Sequence, residues 1–331
     1  MAAGLTLADV AAAAAETPGP GQKIVGPETC VECHLDQIQV WKHTVHQHTF
    51  RELPRKPETE AMLGRLGLTR FKGEPQCQAC HFTTKDVDGE SQAVAGIACE
   101  SCHGPAADWV KTHGDYGGPG ATAASETPAH RAARLARADA AGMLGPRTIL
   151  ALGQACYDCH LVPDERIVNV GGHPAGSPGF NLLTWLEGEV RHDVPRTGDK
   201  VNPEAPLPRR RLLFVLGCIL ETEHGFRAVA AATERATFAL AQARRADAAR
   251  RLLARIDTLV SVPELSEMVA VAQAARLRLH NRDELVAAAD RLAQLARAFA
   301  ARVDGSQLAG VDALLPGAAQ YRGTPYQFPQ S

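Results

Sequence analysis

Residues 96–109 read GIACESCHGPAADW, and the rest of the chain is organised around this stretch. Cys99 and Cys102 are three residues apart, so on a helix their sulfurs project from successive turns. His103 follows the second cysteine directly. Sulfurs at this spacing reach the two vinyl groups on one edge of a haem, and the histidine then lies beneath the iron. The stretch therefore carries the c-type haem attachment signature.

The same pattern occurs three more times. Its residues are Cys30, Cys33 and His34; Cys77, Cys80 and His81; Cys156, Cys159 and His160. The motifs are numbered one to four in chain order, so residues 99–103 form motif three. Together they use eight of the nine cysteines.

A single CxxC pair has other interpretations, because zinc half-sites, redox-active dithiols and disulfides also use it. These alternatives do not require a histidine after the second cysteine, and here all four pairs have one. The pattern favours four covalently attached haem c groups over a zinc or disulfide scaffold.

The composition indicates a folded chain with room for two domains. Of its 331 residues, 45% are hydrophobic but only 5% are aromatic. Few aromatic side chains leave a thin core in the N-terminal part, where haem faces would supply the missing apolar surface. We therefore predict a mainly α protein, with a loop-rich tetrahaem cytochrome c domain around a haem core, followed by an all-α helical bundle.

Proline clusters and composition shifts predict the domain boundaries. Residues 1–28 are rich in Ala, Gly and Pro, and four prolines lie between residues 195 and 208. We predict an export-signal remnant or disordered segment at 1–24, a tetrahaem cytochrome c domain at 25–194, a proline-rich linker at 195–208, a helical bundle at 209–304 and a C-terminal tail at 305–331.

The region after the linker is dense in Ala, Leu and Arg, which favours helices. Helices are expected at residues 209–222, 226–243, 246–259, 263–279 and 282–303. Ser261 with Glu264, and Asn281 with Glu284, are typical of capped helix starts. Helices of this length and pattern pack as a bundle.

The net charge of −2 conceals an asymmetry along the chain. Residues 1–205 hold 18 basic and 25 acidic side chains, whereas residues 206–331 hold 17 and 12. The two parts could attract each other, the basic part could recruit an acidic partner, or both could be ordinary solvated surfaces. Redox proteins are the expected partners, and nucleic acid is not.

Haem c is attached outside the cytoplasmic membrane, so the motifs imply a periplasmic or otherwise extracytoplasmic bacterial protein. Residues 5–15 resemble the end of a signal peptide, although Asp9 interrupts the apolar run. The apolar run at 212–220 falls short of the roughly 18 residues that a membrane span needs. No transmembrane span is expected.

Each motif histidine supplies one axial ligand to its iron, so the expected proximal ligands are His34, His81, His103 and His160. The ligand on the opposite side decides the chemistry. An open iron binds small molecules, whereas a second histidine closes the site and leaves electron transfer as the main option.

Spacing and neighbours nominate the distal ligands. His113 follows Trp109 by four residues, and on a helix the two share one side. His173 lies in a Gly-Gly-His-Pro segment that suits a loop approaching a flat cofactor. His46 and His48 border the apolar face of a helix predicted at 35–50.

His192 is a further distal candidate, at the end of a short predicted helix. Met62 and Met143 are alternatives to a histidine. His43 and His130 are expected to face solvent. Cys218 is expected to be a small buried side chain.

At this point the sequence resembles a known family, the tetrahaem cytochrome c-554 family. One part of the resemblance is a CxxCH motif followed by a helix with Trp41, Thr44 and His46. The other is GxxCESCHGP at residues 96–105, followed by Trp109 and His113. The resemblance covers approximately residues 25–192.

The resemblance implies that His46 and His113 are distal ligands, with His48 as the fallback for His46. It does not dictate the roles of His173 and His192. The family includes members in which the second haem is five-coordinate, so the site on Cys77 and Cys80 could be open here. The predicted helical bundle has no counterpart in the core family.

The leading hypothesis is an extracytoplasmic electron carrier that passes electrons between redox partners through four closely packed haems. We expect a carrier rather than an enzyme. The alternatives are an enzyme acting on nitrite, nitric oxide or hydroxylamine at one open haem, and a subunit of a haem-protein filament. Docking of a partner, or self-association, through the helical bundle is a further hypothesis.

Overall fold

The structure is a computed structural model that describes residues 24–177, 179–195 and 200–329. The export signal predicted for the N-terminus falls on residues outside this range, as do residues 196–199 of the predicted linker and residues 330–331 of the predicted tail. The described part is mainly α and rich in loops, which confirms the predicted fold class.

The region of the four motifs consists of short helices joined by loops. The first five are α1 Glu28–Val31, α2 Leu35–Trp41, α3 Val45–Glu52, α4 Pro57–Leu66 and α5 Pro75–His81. The next six are α6 Cys99–His103, α7 Val110–His113, α8 Pro128–Ala140, α9 Ile149–His160, α10 Glu165–Asn169 and α11 Leu182–Leu186. Motifs two, three and four each end their helix, at α5, α6 and α9.

The helix expected at residues 35–50 is broken into α2 and α3. Thr44 has an extended backbone at the break, and its side-chain oxygen accepts a hydrogen bond from the Gln47 amide at 3.3 Å. A threonine that caps a helix start stabilises a new helix rather than the continuation of the previous one. The break turns His46 away from the axis of α2.

Sequence reasoning missed a β-hairpin between motifs two and three. Strands β1 Thr83–Val87 and β2 Glu90–Ala95 pair antiparallel, with Val87 opposite Glu90. Asp88 and Gly89 form the turn, with φ of 55° and 84°. Two positive φ values are typical of a type I′ turn, and Asp-Gly is its preferred sequence, so this dipeptide was the signal that could have predicted the hairpin.

The C-terminal region is a bundle of longer helices, α12 Leu207–Ala231, α13 Thr237–Asp257, α14 Pro263–Ala274 and α15 Arg282–Arg302. The prediction of separate helices at 209–222 and 226–243 was wrong, as was a break before residue 246. One helix, α12, runs through residues 223–225. Gly225 packs closely against Ala246 there, since a Cβ built on Gly225 would lie only 2.9 Å from the Cβ of Ala246. Close helix packing at a glycine outweighs its low helix propensity.

The predicted side-chain caps do not form, although Asn281 does occupy the predicted N-cap position. Val262 occupies the N-cap of α14 and makes no side-chain cap. Asn281 is at the N-cap of α15, but its amide instead donates to the Arg276 carbonyl at 2.9 Å. Glu284 accepts from the Arg276 backbone at 2.7 Å. These side chains fasten the α14–α15 connection rather than the free amides of a helix start.

A single large apolar core joins the bundle to α9, the helix of motif four. Tyr157, Leu161 and Leu182 lie in the same buried cluster as Leu216 and Leu220 of α12. Gly153 allows the close approach, because a Cβ there would be 2.7 Å from Leu220 Cδ1. The division into a domain at 25–194 and a bundle at 209–304 stays a prediction, and motif four is packed against the bundle.

Within the described residues, no helix is long and apolar enough to cross a membrane. Cys218 is buried in α12, as expected, and its thiol donates to the Ala249 carbonyl at 3.3 Å.

Candidate haem-binding site

The four motif histidines each face a second histidine ring. Among the described residues the pairs and their ring-centre distances are His34 with His113 at 6.1 Å, His81 with His173 at 6.1 Å, His103 with His192 at 5.9 Å, and His160 with His46 at 6.1 Å. The sites are numbered one to four after the motif that supplies the first histidine of each pair.

These separations fit one iron between two imidazoles. A metal–nitrogen bond is about 2 Å long and the ring centre lies about 1 Å beyond the nitrogen, so two trans imidazoles have centres about 6 Å apart. Two protein ligands suffice for a haem iron, since the porphyrin supplies the other four. Among the residues described, no group of three or more His, Cys, Asp or Glu side chains is arranged as a metal site. The residues present therefore fit haem.

The Nδ1 atoms of five of these histidines have hydrogen-bond partners. Four face backbone carbonyls: His103 with Leu144 at 2.8 Å, His113 with Val110 at 2.6 Å, His173 with Pro174 at 2.8 Å and His192 with Val190 at 2.7 Å. His160 Nδ1 lies 2.7 Å from the Ser177 hydroxyl. A carbonyl accepts only from a protonated Nδ1, so in a neutral ring Nε2 keeps the lone pair that could bind a metal.

Burial favours the uncharged form of three of these rings. Burial first, and then nearby histidines, lower the pKa of His81 to about 4, and burial together with His46 and Arg245 lowers that of His160 to about 3. Burial also lowers the pKa of His46. Neutral imidazole is the form that binds a metal, so these side chains need not lose a proton to act as ligands near pH 7.

Cysteine contacts bring the motifs together in pairs. The thiols of Cys30 in motif one and Cys99 in motif three hydrogen-bond each other, which lowers the pKa of Cys30 and raises that of Cys99. Cys80 of motif two and Cys159 of motif four do the same. Cys159 Sγ also lies 3.7 Å from the carbonyl oxygen of Ala79. Motif one therefore packs against motif three, and motif two against motif four.

Helix packing links the two pairs, because α6 of motif three contacts α9 of motif four. Burial, and then the nearby Cys102 thiol of motif three, raise the pKa of Cys156 in motif four. The motifs therefore follow one another in space in the order one, three, four, two.

Glu100, between the cysteines of motif three, is a buried structural carboxylate that sequence reasoning missed. Its oxygens accept hydrogen bonds from the backbone amides of Val25 at 3.0 Å, Gly26 at 2.8 Å and Ala106 at 2.7 Å. The segment that precedes motif one is thereby fastened to motif three. The signal available in the sequence was a charged residue between two cysteines that both attach one cofactor.

Replacing Glu100 by alanine is expected to lower the free energy of unfolding by about 2–4 kcal/mol, because three buried amides lose a charged partner. Thermal unfolding of the haem-loaded protein, followed by circular dichroism, measures this. Glu32→Ala is the matched control, because Glu32 lies between the cysteines of motif one but is exposed. Equal shifts in the two variants would contradict the role of Glu100.

The first part of the family resemblance marks residues that hold α3 against the segment just before motif three. These residues are Trp41, Thr44 and His46. Trp41 Nε1 donates to the Ile97 carbonyl at 2.8 Å, and the Ile97 amide donates to the His46 carbonyl at 3.0 Å. Gly96 passes so close to α3 that a Cβ there would be 2.7 Å from Thr49 Oγ1. The backbone of His46 is therefore fixed by residues next to motif three, while its ring faces His160 of motif four.

His113 is positioned by a buried ion pair between Arg134 of α8 and Glu126, which lies just before that helix. Trp109 packs edge-on against its ring at 5.2 Å, and Arg134 donates to its backbone carbonyl. Glu126 fixes Arg134 with two hydrogen bonds of 2.7 and 2.6 Å, and its side chain is only 1% exposed. The indole nitrogen of Trp109 is buried with no hydrogen-bond partner among the described residues, which suits a donor facing a bound group.

The Glu126–Arg134 pair predicts a pH dependence. The hydrogen bond from Arg134 lowers the pKa of Glu126 from its ordinary 4.5 to about 2. A carboxyl group whose pKa is lower in the folded state than in the unfolded state stabilises the fold at pH values above its unfolded-state pKa. This stabilisation is lost as the pH falls towards the folded-state pKa. The difference in melting temperature between the native protein and Glu126→Gln should therefore shrink as the pH falls from about 4.5 to about 2. A difference in melting temperature that stays constant over this pH range would contradict the lowered pKa of Glu126.

His43, His48 and His130 have partners outside the four pairs. His48 is 3.8 Å from Glu52 and His43 packs on Tyr326, whereas the ring of His46 is the one that faces His160. His130 hydrogen-bonds Glu126 at 2.7 Å and is only partly exposed, so the expectation that it faces solvent was incomplete. Met143 packs with Ala106 and Trp109.

Covalent attachment motifs and paired histidines define the class of this protein as a c-type cytochrome with covalently bound haem c. Residues 29–104 match the family described as cytochrome c554 and c-prime. This part of the chain is thus similar to the cytochrome c-554 family, in agreement with the resemblance seen in the sequence.

A curated relative extends the match beyond those residues. The chain is 29% identical over 135 residues to cytochrome c-554 of Nitrosomonas europaea, a match that covers 38% of this chain and 55% of the relative. The chain therefore spans about half the length of that relative. No solved structure matches the chain.

Proposed function

We propose that the chain is an extracytoplasmic carrier that receives electrons from one redox protein and passes them to another through four haem c groups. Haem c supplies an iron that alternates between the ferric and ferrous states. The chain attaches one group through each cysteine pair, and the proposed axial ligands are His34 and His113, His81 and His173, His103 and His192, and His160 and His46.

The observation that carries this proposal is the second histidine at every site. All four described pairs have the separation that suits two axial ligands. An iron held by two histidines has no position for a substrate, and electron transfer is then its main option.

The order of the motifs supports transfer within the chain. Cysteine contacts bring motif one to motif three and motif four to motif two, and the packing of α6 on α9 brings motif three to motif four. Each attached group then has a neighbour, so an electron received at one end of the series reaches the other without leaving the protein.

The enzymatic alternative required an open second haem. His173 stands 6.1 Å from His81, which favours a closed site two. The filament alternative required distal histidines from a neighbouring chain, whereas His46, His113, His173 and His192 all come from this one. The described residues give self-association no support.

An extracytoplasmic location follows from covalent haem attachment, which takes place outside the cytoplasmic membrane. Redox partner proteins would deliver and remove the electrons.

The haem content and the reactivity of the purified protein test the proposal. The intact mass should exceed that of the polypeptide by four haem groups, with an equal count from the pyridine haemochrome spectrum. The ferrous spectrum should not change under carbon monoxide, and nitrite and hydroxylamine should not be turned over. Fewer than four haems, or steady turnover of either compound, would overturn it.

A further inference from the structure

The C-terminal bundle, absent from the core family, is built directly onto motif four. Tyr157, between its cysteines, is 1% exposed, and its hydroxyl donates to the Gly217 carbonyl of α12 at 2.7 Å. Gln242 of α13 is fully buried and donates to the Leu161 carbonyl at 2.7 Å. Two helices of the bundle thus hold the backbone on both sides of His160.

A charged pair in the bundle reaches the proximal histidine of site four itself. Arg245 of α13 points Nη1 at the His160 carbonyl oxygen at 3.4 Å. Its Nε and Nη2 donate to the two carboxylate oxygens of Glu221 on α12, at 2.7 and 3.1 Å. Both side chains are largely buried, with 19% and 14% exposed. Partial burial weakens solvent screening, so the charge of Arg245 is felt by its surroundings.

Aromatic side chains complete the surroundings of His160. Phe180 stacks on its ring, with centres 4.4 Å apart and planes within 6°, and Trp185 packs edge-on at 4.4 Å. Phe180 belongs to the buried cluster that the bundle completes, and Trp185 packs against it. The bundle therefore helps fix the orientation of the His160 ring as well as its backbone.

We propose that the bundle serves as a tuning domain for site four, in which Arg245 and Glu221 set the reduction potential of the haem that His160 holds. This rests on the proposed function, because it requires an iron on His160. Arg245 and Glu221 are positioning residues that act through His160. Groups beyond the ligands are known to orient them and to tune the metal in this way.

The sign of each contribution follows from charge. Reduction of ferric to ferrous iron adds one electron and lowers the positive charge of the site. A nearby cation therefore favours the ferrous form and raises the potential, and a nearby carboxylate does the opposite. Removing Arg245 and removing Glu221 should shift site four in opposite directions.

The test uses the haem-loaded full chain with two single substitutions, Arg245→Gln and Glu221→Gln. A redox titration followed by optical spectroscopy gives four potentials for each protein. Arg245→Gln should lower one potential and Glu221→Gln should raise the same one, each by roughly tenfold in the reduction equilibrium, which is about 59 mV for one electron. Arg245→Lys keeps the charge and should restore most of the loss.

Arg276→Gln is the matched control. Arg276 forms a similar ion pair with Glu284, at 2.8 Å, where α14 connects to α15. All four potentials should stay unchanged in this variant.

The outcomes separate this inference from the proposed function. A count of four haems with four unshifted potentials in Arg245→Gln and Glu221→Gln would overturn the tuning role and leave the carrier intact. Shifts of the same sign in both variants would also overturn it, because mere loosening of the fold has no charge dependence. A haem count that lacks site four would overturn both proposals.

Discussion

Replacing His173 by alanine is expected to open site two while the other three sites stay closed. His173 stands 6.1 Å from His81 and belongs to a loop that also packs on α4, through the Arg65 guanidinium and the Gly171 carbonyl at 2.6 and 2.9 Å. Removing the ring takes away one axial ligand but leaves this anchor. The ferric protein should gain a high-spin signal from one haem in four, and the ferrous protein should bind carbon monoxide.

His48→Ala is the control for this variant. His48 is the fallback distal ligand, but its side chain is 44% exposed and lies 3.8 Å from Glu52. It should show four low-spin haems and no carbon monoxide complex. An unchanged spectrum in His173→Ala, or an opened site in His48→Ala, would contradict the assignment of ligands.

Gly96→Ala is expected to destabilise the protein strongly and to disturb site four. A Cβ at residue 96 would lie 2.7 Å from Thr49 Oγ1 and 2.8 Å from the Gln47 carbonyl, and it would also collide with the His46 carbonyl. Backbone atoms of α3 cannot rotate away as a flexible side chain can. The unfolding free energy should fall by about 3 kcal/mol, at the upper end for overpacking. Displacement of His46 should also make site four partly high-spin.

The control for this substitution is Gly64→Ala, within α4. Nothing lies within 4 Å of its ideal Cβ position. Since alanine is the better helix former, this variant should be unchanged or more stable by about 0.5–1 kcal/mol. Melting temperature and the low-temperature spectrum measure both variants. A native spectrum and stability in Gly96→Ala would show that α3 can move without disturbing the site.

Covalently bound haem c could be predicted from the sequence alone, because haem attachment is a local pattern. Cysteine spacing and the adjacent histidine are fixed by the cofactor and need no knowledge of the fold. His113 was also within reach of sequence reasoning, since Trp109 lies only four residues before it. His46 required the family resemblance, because helical periodicity could not separate it from His48.

The pairing of distal histidines with irons was beyond the sequence. His46 follows motif one yet faces His160 of motif four, and His113 follows motif three yet faces His34 of motif one. Such contacts join residues far apart in the chain, and they depend on how α3, α7 and α9 pack. The break before Thr44 and the anchoring of Ile97 to His46 decide where that ring points, and both are tertiary contacts rather than local propensities.

The bundle shows a similar division between local and tertiary information. Its helical character followed from Ala, Leu and Arg content, but the breaks predicted after residues 222 and 243 were wrong, and the helix predicted at 263–279 ends at Ala274. Neither Ser261 nor Asn281 makes a side-chain cap, although Asn281 does occupy an N-cap. Arg245 and Gln242 gave no signal in the sequence, because an arginine and a glutamine on an Ala-rich helix are typical of a solvated face. Their contacts with the carbonyls of His160 and Leu161 exist only because α13 packs beside motif four.

Low-temperature electron paramagnetic resonance of the fully ferric protein tests the central claim most directly. Two histidines on every iron predict low-spin signals that integrate to four haems per chain, with no high-spin component. A high-spin signal equal to one haem in four in the native protein would contradict the account, because one iron would then be open to a substrate.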